Sequence, residues 1–387
     1  MSISHGWVAL GFETVRDAFE ANFAEGREVG ASFAAYHRGQ QVVDLWGGMA
    51  DPDTDRAWEE DTLELVYSST KGVTAMCANK LAQEGQLDVD VRVTEYWPEF
   101  GANGKESITV DHLLSHRAGL AWIDGTMTPE EAYAWDPVIR ALEQQAPHWE
   151  PGAQHGYHAV TYGYLVGEVV RRITGRTVGA YLRDEIAGPL GVDFWIGLPA
   201  SEAHRVAKLQ GTITGDRLDP EVEAAVREFV GPDSMLGKSL TAPGGAFSDP
   251  DVWNTRALQA AEVPGAGGVG DARGLARLYA SCIGDVDGFR LLTPTQVQDA
   301  TMRRTVGPNI VILGLDIQFG LGFMVPSSIM NVGGPNGFGH YGAGGSVGWA
   351  DPDAELAFGY VMNRMDVGLA GDPRSARLIN ACYDSIR

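Results

Sequence analysis

The sequence predicts an α+β/α protein: an antiparallel sheet flanked by terminal helices, with a mostly helical region inserted between its two parts. Three observations lead there. Short strand-like segments gather near both ends of the 387 residues. The stretch from about Asp88 to Gly191 reads mostly as helix, broken by Pro and Gly. Amphipathic helices open and close the chain. The expected division is 1–67 with 240–387 as the sheet-bearing part and 68–239 as the mainly helical part, with the active site at their interface.

Taken in order, a helix is expected from Phe12 to about Ala24. GASFAAYHRGQQVVDLWGG (30–48) reads as a hairpin turning at His37 to Gln40. A helix starts near Ser68 and is closed by Gly85. VTYGYLVGEVVRRITG (160–175) and DARGLARLYASCI (271–283) have helical spacing. FGLGFMV (319–325), GSVGWADP (345–352) and AELAFGYVMN (354–363) are short, β-rich and turn-bounded, with Asp351-Pro352-Asp353 as a turn. A last helix runs from about Pro373 to Ser385.

Composition narrows the function classes. The 44% hydrophobic content is ample for a large core, and the formal charge of −22 repels phosphate backbones and anionic lipid, so neither nucleic acid nor membrane is an expected partner. The opening MSISHGWVALGFETV has no basic n-region and no long apolar run, which makes cytoplasmic the expected location. Cys77, Cys282 and Cys382 are far apart and odd in number, and are expected as buried free thiols. No cofactor and no metal is expected.

The chemistry starts at VYSSTKG, from Val66. Lys71 is one of only five lysines in a chain that otherwise uses arginine. On a helix, residues i and i+3 share a face and side chains lean toward the N-terminus, so Lys71 leans back on Ser68. A serine hydroxyl is a weak nucleophile until a base takes its proton. An ordinary lysine is protonated, but burial disfavours the ammonium and frees a lone pair. Helix N-terminal N–H groups suit an oxyanion. The alternative reading makes Ser68 a simple N-cap and Lys71 a surface residue.

Two further segments weigh against that alternative. PGAQHGYHAVTYGYLVGEVV places Tyr157 after a Pro-Gly turn and before a helix, about 90 residues on. FGHYGAGGSVG places His340-Tyr341-Gly342 at the end of a strand. In order and spacing, S-x-x-K, then Y-x-x, then H-x-G resemble the serine β-lactamase/penicillin-binding-protein superfamily, class C β-lactamase-like, and within it the family VIII carboxylesterases. ITVDHLLSHRAGL (108–120), GQLDVDVRVTEYWPEF (85–100), GVGDARGLARLYA (268–280) and LAFGYVMNRM (356–365) extend the resemblance over most of the chain. It implies Ser68 as the acylated nucleophile and Lys71 as the group sharing its proton. Tyr157 would be the partner base or acid, its phenol held ionised by Lys71. The backbone N–H groups of Ser68 and Ala343 would form the oxyanion hole. His340, Tyr341, Gly342 and Ala343 would contact substrate, with Gly342 letting the strand approach it closely.

Two departures bear on substrate. The tyrosine motif ends in Ala159 where lactamases and peptidases carry asparagine, and Ala159 cannot hydrogen-bond a substrate amide. His340 stands where those enzymes have a lysine, and a neutral imidazole holds a carboxylate weakly. Both fit a small neutral ester, short-chain or aryl. The alternatives are a β-lactamase, D,D-peptidase or amidase of the same superfamily, a catalytically inactive binding homologue, and acyl transfer to an alcohol other than water.

Several motifs compete for attention. GGSVG (344–348) satisfies G-x-S-x-G, but Ser346 is followed by β-rich sequence where that motif needs a helix, so it is read as strand lining the site. His112 and His116 have a zinc-like spacing without a third ligand, and are read as buried and hydrogen-bonded. Lys238 beside Ser239 in MLGKSL is read as a loop. Gly265, Gly267, Gly268 and Gly270 lack the Lys-Ser/Thr of a phosphate loop. Tyr133, Trp135, Phe247, Trp253 and Tyr341 are equally candidates for pocket wall or core.

Overall fold

The computed structural model describes residues 4–212, 228–312, 315–330, 332–366 and 368–387. Its centre is a nine-stranded antiparallel sheet drawn from both ends of the chain. The N-terminal strands are β1 (Ser4–Val8), β2 (Gly30–His37), β3 (Gln40–Asp51) and β4 (Arg56–Ala57). The C-terminal strands are β8 (Gln318–Phe319), β9 (Met324–Val325), β10 (Phe338–Tyr341), β11 (Val347–Asp351) and β12 (Leu356–Met362). Their order is β1-β3-β2-β12-β11-β10-β9-β8, with β4 on β3. The two halves meet where β2 pairs β12, from Ala31 opposite Met362 to His37 opposite Leu356.

The expected β2–β3 hairpin is present. Arg38 and Gly39 turn it at φ 53° and 74°, the left-handed pair that matches strand twist. All seven residues of β12 are buried, so the sheet is covered on both faces here.

Five helices of twelve residues or more are seen among the described residues: α1 (Glu13–Ala24), α2 (Ser69–Gln83), α3 (Thr161–Thr174), α4 (Ala272–Ile283) and α5 (Pro373–Ser385). All five were legible from their periods and punctuation. Gly85 at φ 71° ends α2, Gly175 at φ 69° caps α3, and the Asp271 carboxylate accepts from the Gly274 N–H to start α4. α4 lies across β2, β11 and β12. It comes close because Gly359 has no side chain: a Cβ there would sit 2.4 Å from the Ala272 carbonyl. α1 and α5 pack together at the other end of the sequence pattern.

Two elements depart from the sequence reading. FGLGFMV is not one strand. Phe319 ends β8, and the chain bends through Gly320 to Phe323, with Gly322 at φ 84°, before β9. A second, three-stranded sheet joins β5 (Glu64–Leu65), β7 (Gly268–Gly270) and β6 (Phe194–Ile196). It ties the residues just before Ser68 to two distant segments. All three cysteines are buried and free. Among the described residues, no helix is long and apolar enough to cross a membrane.

Candidate active site

The small sheet sets the position of Ser68. The Val66 N–H donates to the Gly268 carbonyl at 2.9 Å, and Tyr67 then turns through φ 45°, a conformation uncommon for a residue with a side chain. α2 begins immediately afterwards with Ser68 as its N-cap residue. One turn on, Lys71 is fully buried. Its Nζ lies 3.0 Å from Ser68 Oγ, 2.5 Å from the Ala159 carbonyl and 2.6 Å from the Gly265 carbonyl. Burial, with no carboxylate to oppose it, pushes the amine well below its usual range. A neutral amine has two N–H groups and one lone pair. Two carbonyls use the N–H groups, which leaves the lone pair for the Ser68 hydroxyl.

Tyr157 reaches Ser68 from the loop before α3. Its hydroxyl lies near enough to the Ser68 side chain for Ser68 to favour the ionised phenol slightly, and its ring centroid lies 4.9 Å from Lys71 Nζ. Its backbone is held at both ends. The Tyr157 N–H donates to Asn309 Oδ1 at 3.1 Å, and its carbonyl accepts from Ser239 Oγ at 2.8 Å. Ser239 also accepts from the Ala159 N–H at 2.8 Å. Ser239 does not sit in a loop, as the sequence suggested, but in the short helix Met235–Leu240. The expectation that Lys71 holds an ionised phenol also changes. Burial raises the Tyr157 hydroxyl above its usual range, because the neighbouring amine is itself stripped of charge.

The strand motif divides into separate roles. Ala343 faces a cavity of about 300 Å³ together with Ser68. Among the described residues, neither the Ser68 N–H nor the Ala343 N–H donates to a backbone carbonyl. Gly342 packs on the segment that leads into Ser68: a Cβ there would sit 2.2 Å from the Val66 carbonyl and 2.2 Å from Ser346 Oγ. Its close approach is therefore to Val66, not to the cavity. His340 is fully buried behind Tyr157, ring centroids 6.2 Å apart, and donates from Nδ1 to the Tyr341 carbonyl at 2.7 Å. Burial pushes this imidazole down to about 3, so it is neutral. Tyr341 packs on Trp349, away from the cavity wall.

That wall is largely apolar: Tyr67, Leu209, Val230, Leu240, Phe247 and Trp253 contribute to it. Tyr67, Trp253, Phe247 and Tyr133 form a run of ring contacts with centroids 4.9, 5.3 and 6.3 Å apart. Trp135 is elsewhere, donating to Glu168 and packing on Tyr164.

A family model described as Beta-lactamase matches residues 15–381. The chain belongs to the beta-lactamase family. Among known proteins, Esterase/beta-lactamase LipL of Mycobacterium tuberculosis is 36% identical over 366 residues, covering 92% of this chain and 81% of its own. A solved family VIII carboxylesterase is 40% identical, with a TM-score of 0.88 over 99% of both chains. A penicillin-binding protein homologue from Caulobacter crescentus is also 40% identical, with a TM-score of 0.87 over 99% of both. The fold is thus the beta-lactamase-like fold, and the protein is a serine hydrolase of that superfamily.

In this beta-lactamase-family chain the competing motifs have structural work. Ser346 Oγ donates to the Val66 carbonyl at 2.7 Å and lies 3.0 Å from Ser69 Oγ. His112 completes a capping box with Thr109. His116 Nδ1 accepts from the His158 N–H at 3.1 Å. Among the described residues no group of three or more His, Cys, Asp or Glu could hold a metal ion. Gly265 supplies a carbonyl to Lys71, and Gly268 to Gly270 form β7. Asn309 and Ser239 were missed as supports of Tyr157. Neither has a sequence signal, since each acts across more than 80 residues.

Proposed function

We propose that the protein is a carboxylesterase that hydrolyses small, neutral carboxylic esters, short-chain or aryl, through a Ser68 acyl-enzyme. The observation that carries the reading is the set of contacts at Lys71 Nζ, with two carbonyls and the Ser68 hydroxyl and no carboxylate. The neutral amine takes the Ser68 proton as Oγ bonds to the ester carbonyl carbon. The carbonyl electrons move to oxygen, which the Ser68 and Ala343 N–H groups stabilise by several kcal/mol. The C–O bond to the alcohol then breaks. The Tyr157 hydroxyl, kept protonated by burial, donates to the departing oxygen and regains its proton from Lys71. Water attacks the acyl-enzyme by the same path in reverse and releases the acid.

Ester is favoured over amide by what faces the substrate. Ala159 lines the cavity without a polar side chain and His340 is neutral and buried, so these two positions offer no partner to an amide oxygen or a carboxylate. The aromatic run suits a flat or short apolar group. The test is hydrolysis of p-nitrophenyl butyrate and of a chromogenic cephalosporin by the wild type and by Ser68→Ala. Turnover of the ester by the wild type alone supports the reading. Faster cephalosporin turnover replaces it with amide hydrolysis, and ester turnover by Ser68→Ala removes Ser68 as nucleophile.

A further inference from the structure

The turn that carries the Ala343 N–H has an anchor outside the cavity. Arg374, the second residue of α5, is fully buried. A guanidinium stays charged at any working pH, so its partners must surround it. Two carboxylates do so. Asp372 Oδ2 lies 2.6 Å from Nη2, and Glu28 Oε2 lies 3.2 Å from Nη1. The remaining contacts run to backbone. Nη1 donates to the Arg364 carbonyl at 2.8 Å and Nη2 to the Gly344 carbonyl at 2.7 Å.

Gly344 follows Ala343. Its carbonyl also accepts from the Asp366 N–H at 3.1 Å, and its N–H donates to the Gly368 carbonyl at 3.3 Å. The turn from Gly342 to Ser346 is closed on its inner side by the Gly342 N–H on the Ser346 carbonyl at 2.7 Å. The outer side has no room to move toward α5. At Gly345, φ is 131° and a Cβ would sit 2.4 Å from Asp372 Oδ2 and 2.7 Å from Arg374 Nη2. A buried charge serving stability alone could end on any carbonyl. This one ends on the residue next to Ala343, which lines the cavity with Ser68.

We infer that Arg374, clamped by Glu28 and Asp372, is a positioning residue that aims the Ala343 N–H at the substrate carbonyl. The inference rests on the proposed role of that N–H in the oxyanion hole. Donors of this kind act because they are aligned before charge develops, so a small tilt of the turn reduces the rate while leaving ground-state binding nearly intact.

Arg374→Lys tests it. Lysine keeps the charge but not the planar fork that reaches Asp372 and Gly344 together. Three quantities are read: the melting temperature, kcat and KM on p-nitrophenyl butyrate, and the rate constant for labelling of Ser68 by a fluorophosphonate, whose phosphoryl oxygen uses the same hole. The expected result is a folded variant in which kcat and the labelling rate fall together by roughly 10- to 100-fold with KM nearly unchanged. If Arg374→Lys does not fold, Asp372→Asn, which only loosens the clamp, replaces it and should show the same paired fall to a smaller extent. A folded variant that labels and turns over at the wild-type rate overturns the inference. Should the wild type label but hydrolyse no ester, the esterase reading fails and the labelling rate alone decides the role of Arg374.

Discussion

The Ser239 hydroxyl spans the Tyr157 segment, donating to the carbonyl of Tyr157 and accepting from the N–H of Ala159, both at 2.8 Å. The intervening residue and both flanks are buried. Ser239→Ala leaves a carbonyl and an N–H unpaired in the core, at a cost of about 1–3 kcal/mol each where no water enters. Because the Tyr157 ring lies over Lys71 Nζ and the Ala159 carbonyl accepts from it, kcat on p-nitrophenyl butyrate should fall more than tenfold. Denaturant unfolding and steady-state kinetics on the same sample check both effects. Loss of stability with kcat intact would confine Ser239 to the core.

Lys71 should dominate the rising limb of the pH–rate profile. Only the neutral amine accepts the Ser68 proton, and burial lowers the pH at which it becomes neutral. Activity should therefore climb with pH through the lowered Lys71 value and be well developed far below the usual range of a lysine. Lys71→Arg, which keeps a permanent charge and has no lone pair, should be inactive at every pH while Lys71→Ala is inactive for want of a base. A profile of kcat/KM that rises only in the usual range of a lysine would remove the buried neutral amine from this role.

Acid should unfold the protein through its histidines. His158 and His340 are fully buried and pushed down to about 3, and His116 is also well below its usual range, burial being the main cause in each. In the unfolded chain a histidine takes its proton near 6.5. Between these values the unfolded state binds more protons, so stability is lost as pH falls from about 6.5 toward 3. For His158 and His340 the loss is about 2 kcal/mol each at pH 5. Urea unfolding at pH 7 and pH 5 measures it. His158→Gln, which keeps a polar side chain without a titrating ring, should flatten the slope, and an unchanged slope would refute the assignment.

Trp253 stands in the middle of the aromatic run and lines the cavity. Trp253→Ala should raise KM for an aryl ester at least fivefold and change KM for an acetate of a small alcohol much less, since only the former fills the space against the rings. The two KM ratios are the measurement. Equal changes for both substrates would place Trp253 in the core and outside substrate selection.

Much of this arrangement was legible because it is local. Ser68 and Lys71 are three residues apart on one helix, so their meeting follows from helix geometry alone. α5 was read to the residue because Pro373 starts it and its apolar period sustains it. What was not legible acts over distance or in very short elements. β1 was missed because Gly6 and a polar neighbour hide its alternation, and its existence depends on pairing with β3. The two- and three-residue strands of the small sheet have no period to read. The Met235–Leu240 segment reads as a loop in the sequence because six residues with a central Gly carry little helical signal. His340 and Tyr341 were assigned to the substrate because the strand motif was read as one unit. In the sheet, both faces of β10 are covered, and only Ala343 beyond its end reaches the cavity.

The union of β2 with β12 has a consequence for the protein's birth. Ala31 pairs with Met362, and Ser68 acquires its Ala343 partner only when that pairing carries the far end of the chain back to the near one. A ribosome delivers Ser68 and Lys71 well before Ala343. Contacts so distant in sequence form slowly and late. On the proposed mechanism the emerging polypeptide therefore carries a serine without its Ala343 partner, and ester hydrolysis waits for the docking of the C-terminal strands.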